Sequence, residues 1–235
     1  EWIIDRESWE EVLSQVDLIT ICPQLNPVGW TYTDDDRKWL IDACQRHDVR
    51  IISDEVYSGA DRNWKPFFKE GDNCISISSL TKVHGLGQIR YGWMIASTDI
   101  IANAENTFHN MAGVMSTPVI MVANRVKPRL HEPIDLIDHY REKNLPVLQE
   151  CLNRLGIEWN PPPHGVFGAF RIPGVDTMEM IDTIGKKHGL LAVPGCMFDS
   201  GLEDWLRVGW SIDPESFKSA VEVLEKVIIK ALDIT

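Results

Sequence analysis

Ser78-Ser79-Leu80-Thr81-Lys82-Val83-His84-Gly85-Leu86-Gly87-Gln88-Ile89-Arg90-Tyr91-Gly92 is the stretch on which the reading of this chain turns. It begins as the end of a strand (Cys74 to Ser78), passes through a small-residue turn, a lysine and a glycine-punctuated loop, and enters a second strand (Tyr91 to Ala96). A lysine set between two buried strands is expensive unless it is paired or used, because burial strips the ammonium of water. Chemistry uses such a group: burial favours the neutral amine, and a neutral amine condenses with an aldehyde to a Schiff base. Ser79 and Thr81 place hydroxyls beside Lys82, and Arg90, eight positions on, offers a planar fork suited to a phosphate. The alternative for this stretch taken alone is a solvated lysine on a hairpin.

Upstream, the apolar spacing of Trp9, Val12, Leu13 and Val16 predicts an amphipathic helix over Arg6 to Val16, and Leu18 to Pro23 reads as a short strand. Asn26-Pro27-Val28-Gly29 is a turn. Thr33-Asp34-Asp35-Asp36 opens a helix with a cap and dipole-matched charges, running to about His47, and Arg50 to Ser53 is the next strand, ending at Asp54. Strand, helix, strand is the signature of a parallel sheet covered on both faces. The return from the Lys82 turn predicts an antiparallel member, Arg90 to Ser97. Helices follow over Asp99 to Val114 and Thr117 to Leu130, and His131-Glu132-Pro133 marks a boundary at which Pro133 starts a long helix, Ile134 to Leu155, bent near Pro146. The pattern then becomes α+β: strand Val166 to Ile172, helix Met178 to His188, strands Leu190 to Val193 and Leu206 to Ser211, and a terminal helix Pro214 to Leu232.

Three further groups carry chemistry. Asp54-Glu55-Val56-Tyr57 follows a buried strand, and ligands of α/β sheets bind at carboxyl ends of strands. A carboxylate there points into a ligand site, with the Tyr57 hydroxyl three positions on; the plainer reading is an acidic loop that caps the next segment. Asn26 places an amide in the turn that ends the preceding strand, although Asn-Pro is also an ordinary turn. Arg207, in Trp205-Leu206-Arg207-Val208-Gly209-Trp210, faces away from Leu206 and Val208 and is either a carboxylate fork or a solvated strand residue.

In this order, Asn26-Pro-x-Gly29, Asp54-x-x-Tyr57, Ser79-x-Thr81-Lys82, Arg90-x-Gly92 and the arginine strand at 207 resemble the class I/II aminotransferases, the fold-type-I enzymes of pyridoxal 5′-phosphate (PLP). Gln88 stands where that family usually has glycine, Thr81 where serine or alanine is commoner, and Val28 where threonine is usual. The resemblance implies an α/β fold: residues 1–131 as the later part of the PLP-binding large domain, a mostly parallel sheet with helices on both faces, then 132–235 as a small α+β C-terminal domain. It implies a Schiff base on Lys82, cofactor contacts from Asn26, Asp54, Tyr57, Ser79, Thr81, Lys82 and Arg90, a substrate α-carboxylate held by Arg207 with Asn26, and no metal. The expected activity is transfer of an amino group from an amino acid to a 2-oxo acid by a homodimer. Other chemistry open to the same residues is that of a β-lyase or an amino-acid cyclase, or non-catalytic PLP sensing.

The resemblance covers only the later part of the family's length, and the chain opens on neither a methionine nor a cap, which reads as a piece of something longer. The 235 residues alone are therefore expected to be inactive. A net charge of −12 disfavours nucleic acid and anionic membranes as partners. No apolar run approaches a membrane span, and no signal peptide is visible at Glu1 to Asp5. The five cysteines have no metal or disulfide spacing and read as reduced, packed thiols of a cytoplasmic protein. His84 and His164 read as structural.

Overall fold

Two runs of β-branched residues, Leu18–Ile21 (β1) and Arg50–Asp54 (β2), pair in parallel, with Leu18 opposite Arg50 and Ile21 opposite Ser53. The computed structural model, which describes residues 2–233, continues this sheet in the order β1-β2-β3-β4. Cys74–Ser79 (β3) is parallel to β2, and Gly92–Ile95 (β4) is antiparallel to β3, as the sequence predicts.

The helix between β1 and β2 forms for local reasons. The Thr33 hydroxyl accepts from the Asp36 N–H, three aspartates fill the first turn, and Arg46 lies in the last, so α2 spans Asp34–Arg46. α1 (Arg6–Leu13) is capped by Asp5 and ends before Val16. Leu13 of α1, Leu40, Ile41 and Cys44 of α2, and Ile21, Ile51, Phe67 and Cys74 form one core on one face of the sheet. α3 (Thr98–Ala112) and α4 (Thr117–Val126) follow β4 and leave Phe108, Met111, Val114 and Met121 exposed.

The chain divides into two compact units: residues up to Gln24 with Thr31–Ile134, and Leu25–Trp30 with residues from Asp135 on. The sequence separates 1–131 from 132–235; the structure instead gives the short Leu25–Trp30 segment to the second unit. Gly29, at φ 75°, lies so close to the second unit's chain that a Cβ would stand 2.7 Å from Pro162 Cγ and 2.9 Å from the Phe167 carbonyl. α5 (His131–Arg154) begins at His131 rather than at Pro133, because a proline in the first turn replaces an N–H that needs no helical partner.

The second unit holds an antiparallel sheet in the order β5-β7-β6, made of Phe167–Arg171 (β5), Val193–Pro194 (β6) and Trp205–Gly209 (β7). β6 is shorter and later than Leu190 to Val193, since Leu190 donates instead to the Gly185 carbonyl and Pro194 has no N–H to extend the ladder. The helix expected at Met178 to His188 is wound in three ways: α6 (Thr177–Met180), a π-turn at Ile181–Gly185 and a 3₁₀ turn at Lys186–His188. α7 (Pro214–Leu232) has the predicted limits. Leu148 and Leu152 of α5, Phe170, Leu206 and Trp210, and Val221, Leu224 and Ile228 of α7 form this unit's core.

None of the five cysteines forms a disulfide; Cys44, Cys74 and Cys151 are buried, and Cys22 and Cys196 are half-buried. Burial pushes the three core thiols up to about 11, about 12 and about 11 respectively. Because the thiolate is the nucleophile, these three are held unreactive at neutral pH. A maleimide is therefore expected to label only Cys22 and Cys196 in the native protein and all five cysteines in concentrated urea, as read by peptide mass. Native labelling of Cys44 or Cys74 would contradict this packing.

Candidate active site

Strand alternation sorts the residues at the carboxyl ends of β2 and β3. Asp54 is opposite Ile77, so Asp54, Ile77 and Ser79 share one face, and Ser53, Glu55, Ser76 and Ser78 share the other. Asp54 is half-buried, and its Oδ1 accepts from the Val56 N–H at 3.2 Å, which fixes the carboxylate at the strand end. The acidic-loop alternative is partly realised in that bond: the carboxylate braces the turn into Tyr57.

The Lys82 turn closes on itself. Gly85 N–H donates to the Lys82 carbonyl (3.2 Å), Leu86 N–H to the Leu80 carbonyl (2.9 Å), and Leu80 N–H to Tyr91 (3.0 Å). The Ser79 hydroxyl accepts from the Thr81 N–H at 3.2 Å. Leu80 and Val83 are buried and anchor the turn, while Lys82 between them is exposed. This corrects the expectation of a lysine buried between two strands: the turn points its apolar residues inward and its amine outward. The Lys82 Nζ stands 5.8 Å from the centroid of the Tyr57 ring, so the turn after β3 and the turn after β2 bring these two residues together. Arg90 is exposed, with a left-handed backbone (φ 55°) that turns the chain into β4, and its Nη1 donates to the Gly87 carbonyl at 3.4 Å. His84 is half-buried; burial lowers its pKa and the Leu130 carbonyl opposes that shift.

Asn26 and Arg207 belong to the second unit. The Asn26 Oδ1 is buried and, among the described residues, has no hydrogen-bond partner. Leu206 lies in the helix-covered core and Val208 packs against it, so Arg207 projects from the opposite face of β7. Its guanidinium carbon lies 4.1 Å above the ring of Phe167 and 5.7 Å from that of Phe198. Register explains the first contact: Arg207 is opposite Ala169 and Phe167 is opposite Gly209, so small residues leave room for the ring to lie under the fork. Nothing in the sequence marks Phe198 out, whereas Phe167, two residues before Ala169, is what alternation places on that face.

Two other residues escaped sequence reading. Glu55 shares the core-side face with Ile51 and Ser53, which alternation alone makes visible. Asn144 is fully buried in α5 and donates from Nδ2 to the carbonyls of Trp210 (2.7 Å) and Ile212 (2.8 Å), tying down the chain that leaves β7. Among the described residues no cluster of side chains could hold a metal ion, and no helix is long and apolar enough to cross a membrane.

The sequence matches the family "Aminotransferase class I and II" over residues 1–224. The chain belongs to this aminotransferase family. It is 23% identical to an aspartate aminotransferase of Streptomyces avermitilis over 238 aligned residues, which cover 92% of the chain and 57% of that protein. The fold superposes on a PLP-dependent aminotransferase from Streptococcus suis with a TM-score of 0.86 at 20% identity, covering 98% of this chain and 62% of that one. A PLP-bound C–S lyase from Staphylococcus hominis gives 0.84 at 17% identity, covering 98% and 63%. The chain thus has the α/β fold of these enzymes and spans about three fifths of the length of the relatives it matches.

Replacing Asn144 by alanine removes both donors to the β7 exit and leaves two carbonyls unsatisfied. The expected loss is about 2–3 kcal/mol of stability in urea unfolding. A variant as stable as the parent would mean that these bonds do not hold the strand.

Proposed function

We propose that the protein is a PLP-dependent aminotransferase that moves an amino group from an amino acid to a 2-oxo acid. The observation that carries the reading is the meeting of Lys82 and Tyr57 at 5.8 Å beside Asp54 and Ser79, which share one face of the sheet. The donors present fit the cofactor group by group: an exposed amine for its aldehyde, a carboxylate at a strand end for its ring nitrogen, a phenol for its ring oxygen, and hydroxyls with a guanidinium for its phosphate. In the second unit, the buried and unpartnered Asn26 Oδ1 has room to accept from a bound donor, while the bonds to a ring oxygen or a carboxylate fall to its Nδ2.

PLP, when bound, supplies an aldehyde and an electron-withdrawing ring that draws electrons from the α-carbon of an amino acid. In this reading Lys82 Nζ would hold the cofactor and move the proton taken from the substrate α-carbon. The Asp54 carboxylate would keep the ring nitrogen protonated. Tyr57 Oη and Asn26 Nδ2 would bond the ring oxygen, and Ser79, Thr81 and Arg90 would hold the phosphate. Arg207, braced by Phe167 and Phe198, pairs with the substrate α-carboxylate together with Asn26. The reading includes a homodimer, to which the exposed Phe108, Met111, Val114 and Met121 offer an apolar surface, and a cytoplasmic setting, which suits free thiols packed in cores.

Borohydride reduction of the PLP-treated full-length protein, followed by peptide mapping, is expected to place the adduct on Lys82. An adduct on another lysine, or none at saturating PLP, overturns the assignment. The likeness to a C–S lyase favours one rival chemistry on the same residues. Product analysis separates them: a 2-oxo acid with aminated cofactor for transfer, ammonia with an elimination product for the lyase. Arg207→Ala is expected to raise KM roughly tenfold or more for every amino-acid substrate, since a charged hydrogen bond is worth about 1.5–3 kcal/mol. A rise confined to one side-chain class would show that Arg207 reads the side chain instead.

A further inference from the structure

Glu55 is a carboxylate that the cofactor reading leaves without a task, yet it is only 5% exposed. Such burial is costly unless every lone pair is used. Here the donors converge: Oε1 accepts from the Phe67 N–H (2.9 Å) and the Ser76 hydroxyl (2.7 Å), and Oε2 from the Trp64 indole N–H (3.1 Å). The Glu55 main chain adds two bonds, its N–H to the Ile77 carbonyl (2.8 Å) and its carbonyl from the Ser78 hydroxyl (3.2 Å). One residue at the end of β2 therefore grips three successive residues of β3. The segment that supplies Trp64 and Phe67 is held from its other side by Arg37 of α2. Its guanidinium lies 4.4 Å and 4.3 Å from the Trp64 and Phe67 rings, and it bonds the Lys65 carbonyl and Glu70.

We propose that Glu55 is a positioning residue of the cofactor site: its ligated carboxylate locks the carboxyl ends of β2 and β3 together and so sets Asp54 and Ser79 from behind. Asp54 and Glu55 are neighbours on opposite faces, so a shift of the Glu55 peptide swings the Asp54 carboxylate. Ser76 and Ser78 lie on the Glu55 face, and Ser79, next in the chain, begins the turn to Lys82. Glu55 itself touches no reacting atom. The charge is required by the donor set: a glutamine keeps the shape, but its NH₂ must face one of three N–H or O–H donors.

The inference rests on the function proposed above, and its test separates the two. In Glu55→Gln, without cofactor, the Val56 and Thr81 amides report Asp54 and Ser79, because each is bonded to that side chain. Both are expected to exchange about tenfold faster than in the parent, with Leu148 of the second unit unchanged. PLP is expected to bind about tenfold more weakly, and Trp64→Phe in the same background, which removes the opposing indole N–H, should recover affinity and amide protection. If Glu55→Gln fails to fold, the double variant and Glu55→Asp carry the same measurements. Parental rates at Val56 and Thr81 with an accelerated Phe67 amide would reduce Glu55 to a loop anchor and overturn the proposal. Should the parent bind no PLP at Lys82, the functional reading fails while the amide rates still decide this one.

Discussion

The parallel pairing of Arg50–Asp54 with Cys74–Ser79 is the constraint on which the first unit depends. Parallel neighbours need a crossover, and such crossovers are usually helical because a helix satisfies its own backbone. Between β2 and β3 the chain has only two 3₁₀ turns, Ser58–Ala60 and Phe67–Lys69. Side chains take over the missing ladder: Glu55 receives the Phe67 N–H, Ser76 the Phe68 N–H, and Arg37 bonds the Lys65 carbonyl. Polar groups inside this region are thus the substitute for a helix, and they set two strand ends side by side at the place where Asp54, Ser79 and the Lys82 turn emerge.

A different device serves the second unit. β5 and β7 pair antiparallel, so one face is free to be buried by helices and the other to carry Arg207. Leu206 lies in the helix-covered core with Val208 packed against it, and Arg207 is left on the far face with Phe167, itself fully buried, beneath it. A guanidinium on an aromatic ring keeps its charge while losing rotational freedom, which suits planar recognition of a carboxylate. Asn144 contributes from the core side by holding the carbonyls just beyond the strand.

Much of this is legible in the sequence. The cap at Thr33 with its three aspartates, the β-branched runs of β1 to β3 and the periodicity of α7 depend on neighbours a few residues away, and each element formed near its predicted limits. The antiparallel return after Lys82 followed from a short glycine-containing loop, which cannot span a parallel crossover. Less legible were places where a distant group competes for the backbone. Leu190 was taken out of its strand by the Gly185 carbonyl, and the 178–188 helix changed its winding between Thr177, bonded to Glu203 and Trp205, and Gly189.

The sequence by itself determined the secondary-structure order, the α/β class and the family motif, because these rest on local spacing and on residue types that chemistry needs. Tertiary structure alone decided three other matters. It put Asn26 in the unit of Arg207 rather than that of Lys82, because Gly29 packs against Pro162 and Phe167, far away in the chain. It turned Lys82 outward, because Leu80 and Val83 on either side claimed the interior. And it made Glu55 a core residue, because donors from Trp64, Phe67 and Ser76 converge on it, and a convergence of groups 9, 12 and 21 residues apart leaves no mark in local sequence.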